Sequence, residues 1–384
     1  MNKILIVFFS LLLISHAKEI KLGMSADLSG PISNICISMD MGIRTYLHKN
    51  NNNPNKKYSF SLITYDDNYN AVKASKNVEK LIYDDNVLAL LANMGTPPSK
   101  LTIPITNQAN IAAFGFYTGG KYVRKEIADH NVFNYRISYK EEVVFIISNL
   151  LNKGIKPEEI VFLSQNDAYG NSGYFAAIEE LKKRGFKNLD KIPNGRYNSH
   201  SLNVESALSE LLDYPTQPKV ILMFAITKPI IKFMKLAKYD FPDSTFISIS
   251  PISRPKIIEQ LKDLSNGLII TQTVPSLSSH LPIVEEFLIE FKKHYPNQTP
   301  SSASLEGYIV ARLFIDSLSN SQTPVTDKES IIKILSQTKD LDIGLGFKSG
   351  FNKKYNQYSS KIWTSVINNG TMKEYDWDSL GVKK

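Results

Sequence analysis

The chain has 384 residues, of which 42% are hydrophobic, 10% aromatic and 21% charged, and its formal net charge is +8. One hydrophobic core seldom serves so long a chain, and this composition excludes a disordered or fibrous protein, so two globular domains are expected. The lysines are scattered singly or in pairs among carboxylates, with no basic stripe that carries interleaved aromatic residues. The positive charge therefore indicates a solvated surface, and nucleic acid is not an expected partner.

The first 17 residues have the pattern of a secretory signal peptide. Lys3 supplies the positive start, residues 4–14 form an almost unbroken apolar run, and residues 15–17 offer a plausible cleavage site. A membrane helix needs about 20 apolar residues, and this run is much shorter. We predict export to the periplasm, cleavage after about Ala17 and no integral membrane segment in the mature chain.

Short β-rich runs alternate with amphipathic segments along the rest of the chain. Strands are predicted at residues 20–24, 60–65, 87–92, 111–116, 160–163, 220–224, 246–249 and 268–273. Helices are predicted at residues 39–50, 71–83, 99–108, 141–153, 172–184, 204–212, 227–239, 256–264 and 282–294. This alternation is typical of parallel sheets covered by helices on both faces. The predicted fold class is therefore α/β, with two doubly wound parallel-sheet lobes.

No Pro/Ser-rich linker separates the two halves of the chain. The passage from one lobe to the other is therefore expected in extended, strand-like segments. Residues 133–137 and 271–274 are the natural positions for such segments, and they would act as hinges.

Neither the cysteine nor the histidine pattern indicates reactive chemistry. Cys36 is the only cysteine, which excludes an intramolecular disulfide, and no cysteine stands at the cleavage site to carry a lipid. A partly buried, inert Cys36 is favoured over a reactive thiol. The histidines are dispersed without a zinc-binding spacing, and no G-x-S-x-G motif is present. We therefore expect no metal, no cofactor and no enzymatic activity.

Residues 115–122 follow a predicted strand and have the G-x4-G-K spacing of a phosphate-binding loop. Tyr122 occupies the position where such a loop needs Ser or Thr for magnesium, and an exported protein meets little ATP. A glycine-lined turn at the carboxyl end of a strand, where open α/β sheets bind ligands, is the favoured interpretation.

Residues 93–99 form a second loop at a strand end and combine a hydroxyl, a glycine and the start of the next helix. Backbone N–H groups there and the Thr96 hydroxyl would hold a carboxylate without a charged side chain. Taken alone, Thr96 is equally well explained as a helix cap. The neighbouring loop, which contains Thr118, shifts the balance towards a ligand site.

Several short motifs occur along the chain in a specific order and spacing. They are residues 20–23, 29–31, 65–67, 94–97, 115–120 with Arg124, 132–136, 167–170, 273–275 and 304–308. Over essentially the whole mature chain they resemble the leucine-binding-protein group of type I periplasmic binding proteins. The resemblance implies three crossovers between the lobes, with hinges near residues 133–138, 271–274 and 341–346.

The resemblance also implies where the lobes lie and how they work. The first lobe would comprise residues 18–135 plus 274–342, and the second lobe residues 136–273 plus 343–384. A solute binds between such lobes and is buried when they close.

A set of ligand-binding residues follows from the resemblance. Thr96 would be the main carboxylate donor, and Thr118 and the Tyr117 carbonyl would be secondary contacts. Tyr169 would close over the solute from the second lobe. The full predicted set is Ser29, Gly95, Thr96, Phe116, Tyr117, Thr118, Tyr139, Glu142, Tyr169 and Ser250.

The chain departs from the amino-acid-binding pattern at two acidic positions. The second-lobe acid that pairs with the ligand ammonium aligns with Ser250, and another acid, near the first hinge, aligns with Tyr139. Burying an ammonium without a countercharge costs on the order of several kcal/mol. Either Glu142 replaces the missing acid or the solute is not a simple amino acid. Helix capping is the alternative role for Glu142.

Together these implications predict a solute-binding protein that captures a small polar solute, an amino acid or a similar compound, and delivers it to an ABC importer. A soluble sensor that signals to a membrane receptor is the alternative, since both functions use the same cleft. A periplasmic enzyme on an α/β scaffold is a remote third alternative. The expected partners are the solute and an ABC permease or membrane sensor.

Overall fold

The computed structural model describes residues 17–124 and 131–380. The predicted signal peptide, apart from Ala17, lies outside the described residues. Within those two ranges, no helix is both long enough and apolar enough to cross a bilayer. Cys36 is fully buried, whereas the sequence indicated partial burial.

The first sheet has five parallel strands in the order β2-β1-β3-β4-β5. Its strands are β1 (Lys18–Ala26), β2 (Tyr58–Asp66), β3 (Ala89–Leu91), β4 (Ala112–Phe114) and β5 (Val132–Phe133). The connecting helices are α1 (Ser33–Asn51), α2 (Ala71–Tyr83) and α3 (Thr96–Gln108). Every residue of β3 and β4 is buried, as a parallel sheet covered on both faces requires.

The second sheet has seven strands in the order β12-β11-β10-β9-β8-β6-β7. Its parallel strands are β6 (Ile160–Gln165), β7 (Asn194–Tyr197), β8 (Val220–Phe224), β9 (Thr245–Ser248) and β10 (Ile269–Gln272). An antiparallel edge is formed by β11 (Trp363–Asn368) and β12 (Thr371–Glu374). The helices of this part are α4 (Tyr139–Asn152), α5 (Ala168–Lys183), α6 (Glu205–Leu212), α7 (Thr227–Asp240) and α8 (Arg254–Leu261).

Three later helices return the chain to the first sheet: α9 (Pro282–His294), α10 (Ser302–Asn320) and α11 (Lys328–Gln337). The backbones of α1 and α10 approach closely, because a Cβ at Gly42 would meet the Ser304 carbonyl oxygen at 1.8 Å. β11 then takes the chain back to the second sheet, which makes three crossings in all. The expected fold class, two doubly wound lobes joined by three segments, is confirmed.

The three crossing segments are hydrogen-bonded to one another. The Asn134 N–H donates to the Asn356 carbonyl at 3.1 Å, and the Asn134 carbonyl accepts from the Tyr358 N–H at 2.7 Å. The Tyr135 hydroxyl donates to the Thr273 carbonyl at 2.8 Å, which links the first and second crossings. The third crossing therefore contacts the first at residues 356–358, which are C-terminal to the hinge near residues 341–346 that the resemblance implied.

The predicted bounds agree to the residue for α2, β8 and α9 and differ by a few residues at most other elements. Helix α10 was not predicted, although it has 19 residues. It is buried without interruption from Ser304 to Ala311, so no amphipathic period marks it in the sequence. Strands β5, β7, β11 and β12 and helix α11 were also missed; most of them are short or lie at sheet edges.

Candidate ligand-binding site

Two loops of the first sheet meet at the carboxyl ends of β3 and β4. Gly95 caps α3 with a φ of 90°, and Thr96 is the first residue of the helix. The Gly95 N–H donates to the Tyr117 carbonyl at 3.4 Å, which ties the two loops together. As a result, the hydroxyl oxygens of Thr96 and Thr118 lie 2.7 Å apart, and both side chains are buried.

Glycine is required where these loops approach each other. A Cβ at Gly95 would lie 2.8 Å from the Tyr69 ring, and its φ is in the left-handed region. A Cβ at Gly120 would lie 2.5 Å from Cγ2 of Thr96. The Gly120 N–H also donates to the Thr118 hydroxyl at 3.0 Å. The two hydroxyls can therefore approach each other only because Gly95 and Gly120 have no side chain.

Beside Thr96 lies a cavity of about 20 Å³ between the two sheets. Tyrosine rings from both sides line it: Tyr69, Tyr117, Tyr139 and Tyr169. The rest of its wall is aliphatic or small: Ile32, Ile35, Gly95, Ile226 and Pro251. Such a volume is of the order of one water molecule. The two sides of the cleft are therefore nearly in contact, and a larger solute requires them to part.

Tyr139 and Tyr169 come from α4 and α5, on the side of the second sheet. Their ring centroids are 5.3 Å apart with the planes at 67°, which is an edge-to-face contact. The Tyr139 hydroxyl oxygen lies 3.5 Å from Oγ1 of Thr118. Burial raises the pKa of both phenols, so both stay protonated at neutral pH. The second side of the cleft thus adds neutral hydroxyl groups to those of the threonines.

The cavity is not lined by five residues of the predicted set: Ser29, Phe116, Thr118, Glu142 and Ser250. Ser29 and Phe116 have their contacts elsewhere. Ser29 is exposed, and its hydroxyl donates to a carboxylate oxygen of Asp66 at 2.6 Å. The Phe116 side chain is buried in an apolar cluster with Val78 and Leu81 of α2. Successive side chains along extended backbone point to opposite faces, so Tyr117 reaches the cavity and Phe116 does not.

Glu142 belongs to a hydrogen-bond network behind the cavity wall. Its buried carboxylate accepts from the Ser250 N–H at 2.9 Å, from the Ser250 hydroxyl at 2.8 Å and from the Thr271 hydroxyl. The helix-capping alternative is wrong, because Ser138 and Glu141 form the capping box of α4. Burial raises the pKa of Glu142. Both of its oxygens are engaged within the protein.

An ion pair that the sequence analysis did not single out completes this network. Two nitrogens of Arg136 donate to the two oxygens of Glu306 at 2.6 and 2.9 Å, and the third donates to the Ser250 hydroxyl at 2.6 Å. The Thr273 hydroxyl donates to Glu306 at 3.0 Å. The Arg136 guanidinium lies 3.9 Å from the ring centroid of Tyr117. The sequence did carry a signal for this pair. Arg136 and Glu306 are each a charged residue beside apolar neighbours in one of the family motifs.

A second buried arginine was also missed. Arg254 begins α8, shortly after Pro251, which lines the cavity. It is 7% exposed, and within the described part of the chain its guanidinium forms no hydrogen bond and no ion pair. Burial lowers the pKa of Arg254 to about 10, so the side chain stays charged at neutral pH. In the sequence it is indistinguishable from an ordinary helix-start residue.

Metal and phosphate binding find little support in the geometry. Within residues 17–124 and 131–380, no three His, Cys, Asp or Glu side chains come together to suit a metal ion. The loop with phosphate-loop spacing continues into a 3-10 turn at Lys121–Val123, and not into the helix that such a loop opens. The groups at the cavity are hydroxyls and phenols, with a guanidinium nearby, which can bind a polar solute.

A family model described as periplasmic binding protein matches residues 19–371. The chain belongs to this family. Its members are extracytoplasmic proteins that bind small-molecule solutes and work with ABC transporters, and they are not enzymes. The predicted family and the expectation of binding without catalysis are therefore confirmed. None of the curated protein sequences matches the chain significantly.

Solved structures with the same fold cover nearly the whole chain. A possible leucine/isoleucine/valine-binding protein from Rhodopirellula baltica is 33% identical, with a TM-score of 0.89 over 95% of this chain and 98% of its own. A branched-chain amino acid ABC transporter protein from Thermus thermophilus with bound valine is 14% identical, with a TM-score of 0.80 over 94% and 96%. A solute-binding protein from R. palustris in complex with 4-hydroxybenzoate is 15% identical, with a TM-score of 0.79 over 94% and 96%.

Proposed function

We propose that this protein captures a small carboxylate-bearing solute, an amino acid or a compound of similar size, between its lobes and delivers it to an ABC importer. The observation that carries the proposal is the pair of buried hydroxyls, Thr96 and Thr118, 2.7 Å apart beside the cavity. Tyr139 and Tyr169 cover that cavity from the other side of the cleft. Donors on one lobe and a cover on the other are what capture by closure needs.

In this proposal the lobes comprise residues 18–135 plus 274–342 and residues 136–273 plus 343–384. The rings of Tyr69 and His200 approach to 6.0 Å between centroids, one from each lobe. Rotation about the three joined crossing segments would separate such contacts and leave both sheets intact. Opening in this way would admit a solute that the present cavity is too small to hold.

We place the solute carboxylate at the threonine hydroxyls. When one hydroxyl donates to the other, a proton remains to donate to a solute oxygen. The start of α3 contributes little more: Pro97 and Pro98 have no N–H, and the Ser99 N–H donates to the Gly95 carbonyl at 3.1 Å. In this proposal the site depends on side chains more than on the other N–H groups of the helix start.

We also propose that the chain is exported, cleaved after about Ala17 and free of lipid. The apolar run at residues 4–14 and the lack of a cysteine at the cleavage site support this, together with membership in an extracytoplasmic family. The partner would then be an ABC permease in the membrane.

The proposal is tested by calorimetric titration of the mature protein with amino acids and with amine-free organic acids. We expect at least one to bind, and Thr96→Ala to weaken its binding about tenfold or more, because a buried donor to a charged oxygen is lost.

Thr106→Ala is the matched control. It removes another buried hydroxyl of α3, which donates within the helix to the Thr102 carbonyl at 2.9 Å, and should leave the affinity unchanged. Equal affinity of Thr96→Ala and the unmodified protein would place the solute elsewhere.

A further inference from the structure

A second and much larger cavity, of about 580 Å³, lies beside the crossing segments. Its walls come from the loop after β4, from α4 and α5, and from the third crossing at Lys354 and Tyr355. Tyr139 is the only described residue that lines both this second cavity and the small one next to Thr96. Binding sites for small molecules commonly have about 300–1,000 Å³, so the second cavity can hold one without any movement of the lobes.

Two lysines line the second cavity, and one buried amide holds their segments together. The side-chain nitrogen of Asn134 donates to the Val123 carbonyl at 2.7 Å and to the Asn356 carbonyl at 2.8 Å. Lys121 stands two residues before Val123. Lys354 stands two residues before Asn356. Because both carbonyls bond to the same nitrogen, the turn with Lys121 and the third crossing with Lys354 lie side by side.

The described side chains give the second cavity an excess of positive charge. Its basic residues are Lys121, Arg124, Lys140 and Lys354, and its acidic residues are Glu141 and Glu179. Glu179 pairs with Lys140 at 2.7 Å. Glu141 accepts from the Ser138 N–H at 2.8 Å and from the Gln357 side chain at 2.9 Å. Within residues 17–124 and 131–380, neither Lys121 nor Lys354 forms an ion pair, so both ammonium groups can serve an anion in the cavity.

The same cavity presents aromatic rings that the protein does not bury. Phe175 is 60% exposed and Tyr355 is 43% exposed, and Tyr122 lies in the same wall. Nζ of Lys121 is 5.7 Å from the ring centroid of Tyr122, and Nζ of Lys354 is 5.1 Å from that of Tyr355. Exposed apolar surface rimmed by polar groups is typical of ligand-binding grooves. One ligand can therefore meet ammonium groups and aromatic faces at the same time.

We propose that the second cavity is a further binding site, for a small organic anion with an aromatic body. The acidic group of the ligand, a carboxylate or a sulfonate, accepts hydrogen bonds from Lys121 and Lys354, and its ring packs against Phe175. This site goes beyond the proposed function, because it uses neither the threonine hydroxyls nor the opening of the cleft. An anion bound there contacts the loop of the first sheet and the helices of the second sheet at once.

Calorimetric titration of the mature protein with 2-naphthoate and with 2-naphthamide tests the charge requirement. The two probes have the same ring system, and only 2-naphthoate is an anion. We expect 2-naphthoate to bind with a Kd of about 1 mM or lower, and 2-naphthamide to bind at least about tenfold more weakly. Equal affinity for the two probes would overturn the inference.

Repeating both titrations with Thr96→Ala separates the second cavity from the solute site, since 2-naphthoate also carries a carboxylate. We expect one 2-naphthoate per chain to bind Thr96→Ala as tightly as it binds the second cavity of the unmodified protein. If Thr96→Ala binds no 2-naphthoate while the unmodified protein does, the probe occupies the solute site. That result would uphold the proposed function and overturn the present inference. Binding to neither protein would also overturn it.

The double variant Lys121→Gln with Lys354→Gln should weaken 2-naphthoate binding about tenfold or more and leave 2-naphthamide binding unchanged. The matched control is Lys100→Gln with Lys353→Gln. Lys100 lies over the same Tyr122 ring at 5.8 Å, Lys353 precedes Lys354, and neither lines the cavity. Because exposed charges are screened, the control should change the affinity less than about twofold. An equal loss in both double variants would mean a general effect of charge and would overturn the inference.

Phe175→Ala tests the aromatic wall. It should weaken the binding of both probes about three- to tenfold, because each naphthalene ring loses a stacking partner. Tyr239→Ala is the control, since Tyr239 is 76% exposed on α7 and does not line the cavity. Unchanged binding in Phe175→Ala, or the same loss in Tyr239→Ala, would overturn the placement of the ring.

Discussion

Arg136 and Arg254 are both largely buried, but their surroundings differ. Arg136 has a hydrogen-bond partner for each of its donating nitrogens, Glu306 twice and Ser250 once. Arg254 has none within the described chain. The saturated network around Arg136 joins a crossing segment to both lobes, whereas Arg254 begins α8 on the second lobe and is not held by such a network. Of the two arginines, only Arg136 is built into a hydrogen-bond network that links the lobes.

The largest expected effect comes from breaking the saturated network. Glu306→Gln removes the countercharge of Arg136 and leaves a buried, unpaired guanidinium, which should lower the free energy of unfolding by about 3–5 kcal/mol. Denaturant titration followed by circular dichroism measures this change.

Glu259→Gln is the control for this substitution. Glu259 forms an ion pair with Lys256 at 2.9 Å on the exposed face of α8, and its removal should cost less than about 1 kcal/mol. If both substitutions cost the same small amount, the Arg136–Glu306 pair is not the structural link between the lobes that its geometry indicates.

A smaller effect is expected where the two glycine-containing loops meet. Gly120→Ala brings a methyl group to 2.5 Å from Cγ2 of Thr96, so the loops must move apart. Overpacking of this kind costs about 1–3 kcal/mol. We expect about 1.4 kcal/mol of this cost to fall on solute binding, which is about a tenfold loss of affinity. Calorimetric titration with the best-binding solute measures it.

The double variant Gly120→Ala with Thr96→Ser provides the internal check. Serine keeps the hydroxyl but lacks Cγ2, so the clash is relieved and most of the affinity should return. A double variant that binds as poorly as Gly120→Ala alone would mean that the loop glycine acts through something other than Thr96.

The smallest expected effect is that of a single phenol hydroxyl. Tyr139→Phe removes the hydroxyl that lies 3.5 Å from Oγ1 of Thr118 but keeps the ring against Tyr169. We expect a two- to tenfold loss of affinity, on the order of one neutral hydrogen bond. Tyr174→Phe, on α5 but outside the cavity lining, should have no effect; a similar loss there would argue against a direct role for Tyr139.

Much of the fold could be predicted because its signals are local. The helix at residues 71–83 carries its apolar period and its Asn70 cap within a short stretch, and the prediction agrees with the structure to the residue. The loops with Thr96 and Thr118 were also predicted to belong to one ligand site at the carboxyl ends of strands, and in the structure their hydroxyls lie 2.7 Å apart. Helix α10 was not predicted, because a helix that is buried on nearly all sides lacks the amphipathic period of apolar and polar residues.

The roles of the buried charges could not be predicted in the same way. Arg136 and Glu306 are 170 residues apart in the sequence, and Ser250 and Glu142 are 108 apart. Glu142 was predicted either to cap its helix or to meet the solute; in the structure the neighbouring Glu141 takes the cap, and folding directs Glu142 to Ser250.

By itself, the sequence determined the α/β class, the family and the pair of strand-end hydroxyls, because periodicity, glycine placement and motif order are written in neighbouring residues. Only the tertiary structure decided which buried charges neutralise one another and which one does not. That choice depends on distances of a few ångströms between segments that the chain brings together by folding, as the pairing of Arg136 with Glu306 across 170 residues shows.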